Sequence, residues 1–147
     1  MKSLWDPQAR RELQTRFDAV KPDTKPAWGR MSAPQMLTHV ADSLRMAIGE
    51  LPCAPKPSAL RYTPLKQLVI YWLPWPKGVP TAPELLVRVP TSWSGDLSDL
   101  TALIDRLGSV GPGGPLGDHP AFGRLSGRTW GALMYRHMDH HLRQFGA

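Results

Sequence analysis

The chain has 147 residues, of which 41% are apolar and 20% charged, and this size and composition predict one globular domain over residues 1–147. Its one cysteine, Cys53, excludes an internal disulfide, and the N-terminus lacks the apolar core of a signal peptide, so we expect a cytoplasmic protein. The formal net charge of +6 comes from scattered basic residues, and the longest apolar run, residues 68–75, is far short of the roughly 20 that span a bilayer. These features disfavour a nucleic-acid-binding protein and a membrane-spanning one.

Two amphipathic helices are predicted in the N-terminal third. Asp6 is a good N-cap before a proline, and apolar residues at helical spacing predict a helix over residues 7–20. The pattern S-x-x-Q that starts at Ser32 is typical of a capping box and predicts a second helix that ends near Gly49. His39 lies on the apolar side of this second helix and is expected to point inward.

The middle of the chain is rich in helix breakers. A proline-rich loop at residues 51–57 precedes a short helix predicted over residues 65–73. Its predicted apolar face consists of Leu65, Leu68, Val69 and Trp72. Residues 74–95 are expected to form an extended crossover in which only residues 85–89 resemble a strand.

Two further long helices are predicted in the C-terminal half. Asp96 is the expected N-cap of a helix over residues 97–107, and Gly108 is its expected stop. After a second loop dense in glycine and proline, Ser126 is expected to cap the last helix. The pattern therefore predicts an all-α fold, a four-helix bundle with one short extra helix and long Pro/Gly-rich connections.

The last predicted helix carries the pattern H-x-D-H-H. His137 and His141 are four residues apart, so a helix places both imidazoles on one face, one turn apart. His39, on the inward face of a separate helix, supplies a third nitrogen ligand for a divalent metal. Three protein ligands leave coordination positions open for water or substrate. From the spacing alone, an exposed histidine pair or a core histidine bonded to a carbonyl remains an alternative.

Other polar residues are candidates for supporting roles. His140 is displaced by about 60° from His137 on the helical wheel, which favours a flanking position. Asp42 and Gln144 each follow a histidine by about one turn and can orient it, although a polar role elsewhere in the bundle is an equal alternative. His119 lies in a loop, where packing is its favoured interpretation.

The tryptophans permit structural interpretations as well. Trp28 is expected to be a core packing anchor ahead of the second helix. Trp72 and Trp75 offer an exposed aromatic surface through which a non-catalytic module would bind a partner.

Three separated motifs resemble the DinB/YfiT-like superfamily. They are W-G-x-M-S-x-x-Q-M-L-x-H-V-x-D from Trp28, H-P-x-F-G from His119, and W-G-x-L-x-Y-x-H-x-D-H-H-L-x-Q-F-G from Trp130. The ending H-x-D-H-H-x-x-Q-F is similar to that of a branch of uncharacterised small bacterial proteins. The proline-rich segments at residues 51–64 and 74–95 depart from the simplest pattern of the superfamily.

This resemblance implies a DinB-like four-helix bundle, often a homodimer, with a divalent metal on His39, His137 and His141. The metals considered are zinc, nickel, iron and manganese. The predicted function is that of a metal-dependent transferase or hydrolase that activates a thiol or water, with a small-molecule substrate and a low-molecular-weight thiol as partners. The alternative is a non-catalytic module that binds metal or ligand, or a stress-associated interaction module.

Overall fold

The computed structural model describes residues 1–78 and 81–147, and the regular structure in these ranges is helical. The long helices are α1 (Pro7–Ala19), α2 (Ala33–Ala47), α4 (Trp93–Val110) and α5 (Gly127–Gln144). The short helix α3 (Leu65–Gln67) continues as a π-helical turn over Leu68–Trp72, and 3₁₀ turns lie at Ala59–Arg61 and Pro83–Leu86. Among the described residues, the one β-type pairing is an isolated bridge between His119 and Gly123. The all-α prediction is confirmed.

The predicted starts of three long helices are confirmed by their caps. The Asp6 carboxylate accepts from the backbone N–H of the residue two positions on, which begins α1. Ser32 and Gln35 form the reciprocal capping box at the start of α2. The Ser126 hydroxyl accepts from the backbone N–H of Thr129 and begins α5.

The prediction for α4 was wrong at both ends. Its N-cap is Ser92, whose hydroxyl accepts from the Gly95 N–H, while Asp96 lies inside the helix and accepts from Thr91. Gly108 is interior. A Cβ at this position would lie 2.6 Å from the Arg10 guanidinium, so the absence of a side chain leaves room for Arg10. The helix ends instead at Gly111, which takes a φ of 67° that favours glycine.

Two predictions for the middle of the chain are also corrected. The apolar face predicted for the short helix is largely exposed, and Ile70 in the π-helical turn is buried instead. The strand-like segment 85–89 forms no strand: Pro83–Leu86 is a 3₁₀ turn that buries Leu85 alone. Of the predicted crossover over 74–95, positions 79–80 lie outside the described residues.

The four long helices share one apolar core and contact one another in the cyclic order α1, α4, α2, α5. Helices α2 and α5 run antiparallel. The Gly117 N–H donates to Ala47 at the end of α2, and the Gly117 carbonyl accepts from Trp130 near the start of α5. The first turns of α2 therefore lie beside the last turns of α5. These contacts are those expected of the predicted DinB-like bundle, which itself stays a prediction.

The short helix is tied to α5 by one arginine. The Arg136 guanidinium donates to the carbonyls of Val69, Ile70 and Leu73, and it lies 5.1 Å from the centroid of the Trp75 ring. Carbonyls at a helix C-terminus lack intrahelical partners, so a cation there satisfies them and stabilises the helix end. Arg136 thus holds α3 and the following segment against the C-terminal half of α5.

None of the described helices has the length and apolarity needed to cross a bilayer.

Candidate metal centre

Three histidines converge where the N-terminal half of α2 meets the C-terminal half of α5. Nε2 of His137 lies 3.1 Å from Nε2 of His39 and 3.2 Å from Nε2 of His141. One ligand atom from each of the three residues falls within 4.8 Å of the others. Two nitrogens that each lie about 2.0–2.1 Å from one ion can be up to about 4 Å apart, and both measured Nε2 separations are shorter than this limit. The three side chains predicted from the sequence are therefore close enough to hold a metal ion.

The outer nitrogens of two of these rings are already engaged. Nδ1 of His39 lies 3.2 Å from the Leu85 carbonyl oxygen, and Nδ1 of His141 lies 2.9 Å from Oε1 of Gln144. The Gln144 amide nitrogen donates to the Trp28 carbonyl at 2.8 Å, so its Oε1 is the atom that accepts. Both partners are acceptors, and each Nδ1 therefore carries the proton. Nε2 of His39 and of His141 consequently present lone pairs to the centre of the cluster.

No placement of protons gives both Nε2–Nε2 contacts a hydrogen-bond donor. Nε2 of His137 faces both lone pairs and can carry one proton, which satisfies one of the two contacts. The other contact then brings two unprotonated nitrogens together. Nδ1 of His137 is buried without a hydrogen-bond partner among the described residues. A cation at the point where the three Nε2 atoms converge resolves the conflict, so the donor set fits a divalent metal.

Burial keeps the cluster neutral. Desolvation lowers the pKa of His39 and brings that of His141 to about 3, the latter assisted by the neighbouring His39. The pKa of His137 is held well below its ordinary value by burial first and by His141 and His39 next. A metal ligand must be an unprotonated imidazole, so these rings are ready to bind without first losing protons.

The cluster opens into a cavity of about 440 Å³. Its walls are mostly apolar and include Trp75, Leu85, Phe122, Leu133 and Met134. Ligand sites for small molecules typically have this size and character, with a few polar groups that fix orientation. The three histidines are the polar groups at one part of this cavity.

The residues predicted to support the ligands lie in different surroundings. Gln144 bonds to His141, as described above. Asp42 is buried but pairs with Arg45 at 2.8 Å and with Arg88 at 3.0 Å, and it acts on His39 only by raising its pKa electrostatically. His140 lies beside the cluster and lines the cavity.

The aromatic residues around the centre correct two predictions. Trp28 is half-buried in the cavity wall rather than in the core, and its ring meets His140 edge-on at 5.6 Å between centroids. Trp75 is also half-buried, with centroid separations of 6.4 Å to His137 and 6.1 Å to His140. Trp75 thus belongs to the site, and only Trp72 is exposed as predicted, at 79%.

Sequence reasoning missed three contributors. The Leu85 and Trp28 carbonyls are backbone groups, which no side-chain pattern reveals. His119 was assigned to loop packing, yet it also lines the cavity. Its place in the H-P-x-F-G motif was the signal available for that role.

Fold and site together define an all-α protein with a candidate three-histidine metal centre. Residues 21–147 match the family model described as "Protein of unknown function (DUF1569)", so the chain belongs to the DUF1569 family. No curated protein and no solved structure matched the chain. The resemblance to the DinB/YfiT-like superfamily rests on the motifs alone, since the matching family model names a different family.

Proposed function

We propose that this protein is a metal-dependent, DinB-like transferase or hydrolase that activates a thiol or water at the three-histidine centre. The observation that carries the proposal is the convergence of three Nε2 atoms whose close contacts protons alone cannot satisfy. A divalent metal with open coordination positions lowers the pKa of a bound water or thiol and so supplies a nucleophile near neutral pH.

The chain's own residues would prepare the site for that chemistry. His39 and His141 are held in the Nδ1–H form by Leu85 and Gln144, which orients their lone pairs. Trp75 and Trp28 line the cavity beside the centre, where a bound substrate would be shielded from bulk water on their side. Exclusion of water strengthens electrostatic interactions with a bound substrate.

The substrate is expected to be a small molecule with an apolar body, in keeping with the cavity lining. A thiol nucleophile would have to come from outside the chain. Cys53 is not among the residues lining the cavity, and burial raises the pKa of its thiol. We therefore propose a low-molecular-weight thiol as the co-substrate of a transferase, in the reducing cytoplasm that the single cysteine suggests.

Zinc, nickel and iron suit an all-imidazole donor set better than manganese, which favours oxygen ligands.

The purified protein should be reconstituted with each of the four metals in turn and its metal content measured by elemental analysis. The proposal expects about one metal ion per chain. His137→Ala/His141→Ala should lose it, and Asp139→Ala, on the same helix but outside the cluster, should retain it.

A substoichiometric metal content in wild-type protein after all four reconstitutions would contradict the proposal. The metal-loaded protein should then be screened for transfer of thiols to electrophiles and for hydrolysis. Loss of the detected activity in the double histidine variant, with retention in Asp139→Ala, is the expected result.

A second candidate function is that of an interaction module, and the exposed apolar surface on the π-helical turn that follows α3 favours it. Trp72 is 79% exposed, and Leu68 and Leu73 beside it are 44% and 45% exposed. Contiguous exposed apolar side chains are typical of contact surfaces. We propose a homodimer as the occupant, because self-association would cover this patch in every copy of the chain.

The size of the wild-type protein and of Trp72→Ala in solution tests this alternative. A dimer that dissociates in the variant supports it, with the equally exposed Val87→Ala as the matched control. A wild-type monomer, or a dimer of unchanged affinity in Trp72→Ala, would contradict it.

A further inference from the structure

The ring of His119 has a fixed tautomer. Its Nδ1 accepts from the backbone N–H of Ala121 at 3.1 Å and of Phe122 at 3.2 Å. A backbone N–H can only donate, so Nδ1 must keep its lone pair. A neutral imidazole carries one proton, and in His119 that proton is therefore on Nε2.

The ring is also fixed in position. The backbone groups of His119 and Gly123 exchange two hydrogen bonds, at 3.0 and 2.7 Å, which closes the loop. The ring packs against Phe122 and Trp130, with centroids 4.8 and 5.7 Å away. Burial lowers the pKa of His119 to about 4, so the ring is neutral at physiological pH. His119 thus presents a rigid, neutral N–H donor.

This donor belongs to the same cavity as the histidine cluster. His119 lines the cavity together with His39, His137 and His141. It is near enough to His137 that a charge on it would lower the pKa of that residue. No described residue bonds to its Nε2, so this N–H is free to donate to a ligand in the cavity.

The charges around the cavity indicate the chemistry of that ligand. Arg30 and Lys56 line the cavity, whereas no carboxylate does within the ranges 1–78 and 81–147. A cavity with cationic and N–H groups and no acidic side chain is complementary to an anion. Its apolar walls suit a carboxylate on a hydrocarbon or aromatic body.

We propose that His119 is a substrate-positioning residue whose Nε2–H donates to a carboxylate oxygen of a small organic acid bound in this cavity. The inference rests on the proposed function, in that the cavity beside the histidine cluster is the substrate site. Charge-assisted hydrogen bonds are roughly twice as strong as neutral ones, so this bond would orient the ligand as well as retain it.

Benzoate is a suitable probe, and toluene is its control with the same ring and no acceptor. Calorimetric titrations should use the metal-free and the zinc-loaded protein, each as wild type, His119→Phe and His119→Gln. His119→Phe should weaken benzoate binding about tenfold or more and leave toluene binding unchanged. His119→Gln keeps a donor and should recover part of the affinity. A change of less than twofold in His119→Phe, or no benzoate binding by the wild type, would overturn the proposal.

Nitrogen-detected spectra of the imidazoles in wild-type protein provide a readout that does not depend on the variants folding. The Nε2–H form of His119 is expected at pH 7, and its proton signal should shift when benzoate binds. An Nδ1–H form, or a signal that benzoate at saturation leaves unmoved, would overturn the proposal.

Metal content measured on the same samples separates the two proposals. If the protein holds stoichiometric zinc and benzoate binds equally well to wild type and His119→Phe, only the positioning role is contradicted. Benzoate binding that depends on His119 in a protein that retains no metal contradicts the proposed metal-dependent function alone.

Discussion

Gln144 connects the candidate metal centre to the loop before α2. Its Oε1 accepts from His141, and its amide nitrogen donates to the Trp28 carbonyl, so its orientation is determined from both ends. Groups that orient metal ligands in this way typically contribute 10–100-fold to metal affinity. Although Gln144 does not touch the point where the Nε2 atoms converge, it decides which nitrogen of His141 faces that point.

Replacement of Gln144 by leucine should therefore weaken zinc binding by about 10–100-fold. Competition with a chromogenic chelator measures this change. Gln144→Glu is the matched control, because its carboxylate can still accept from Nδ1 of His141 and should preserve most of the affinity. Equal zinc affinity in wild type and Gln144→Leu would show that the bond to His141 does not support the site.

His119 makes stability depend on pH in a definite direction. Its pKa in the folded protein is about 4, below the ordinary 6.5. Between these values the unfolded chain binds the proton and the folded chain does not, so stability falls as pH decreases below about 6.5 and levels off near 4. This difference between the folded and unfolded pKa corresponds to roughly 3 kcal/mol for this residue.

Denaturant unfolding of metal-free protein between pH 7 and pH 4 measures this loss. The other buried histidines contribute in the same direction, so the comparison with His119→Gln isolates one residue. The variant should lose less stability over this range than the wild type. Parallel pH profiles for the two proteins would contradict the assignment of a depressed pKa to His119.

Among single residues, the sequence was sufficient to identify those whose positions follow from helical periodicity. His39, His137 and His141 were identifiable because spacing places them on inward faces of two helices. Leu85 was not, because its contribution is a backbone carbonyl from a 3₁₀ turn 46 residues beyond His39. The neutral donor at His119 likewise depends on a loop geometry that spacing does not encode.

Among the elements, α3 relies most on contacts from outside itself. It is short, its outer face is exposed, and Arg136 satisfies the carbonyls at its end. The segment that follows places Trp75 beside His137 of the candidate metal centre. Displacement of α3 would therefore disturb one wall of the cavity.

We expect Arg136→Met to destabilise this element selectively. Hydrogen bonds to a charged group are each worth about 1.5–3 kcal/mol, and the substitution removes the Arg136 donor from the carbonyl of the buried Ile70. Hydrogen exchange should accelerate in residues 65–75 more than in α2. Arg143→Met removes an arginine that is 73% exposed on the same helix and should change exchange little. Uniform acceleration across the chain, or none, would contradict the anchoring role.

Element boundaries were predictable where a side-chain cap dominates, as at Ser32 and Ser126. They were not predictable at α4, where Asp96 and Gly108 have the residue types of cap and stop but serve interior contacts. The π-helical turn after α3 was not predictable from a pattern that assumes 3.6 residues per turn. The burial of Ile70 and the exposure of Trp72 depend on tertiary contacts that helical spacing does not specify.

For the whole molecule, the cyclic contact order of the long helices explains why the centre forms where it does. Helices α2 and α5 are neighbours in that order and run antiparallel, so a histidine in the first turns of α2 meets histidines in the last turns of α5. The long connections then close the site, with the segment after α3 and the loop of His119 forming cavity walls. The fold thus brings together groups that are about a hundred residues apart in sequence.

X-ray absorption spectroscopy of the zinc-loaded protein shows directly whether three imidazoles bind one metal ion and leave it accessible to solvent. We expect three imidazole nitrogens at about 2.0–2.1 Å and at least one further light atom from solvent. A spectrum without imidazole scattering, or one showing a closed shell of four protein ligands, would contradict this expectation.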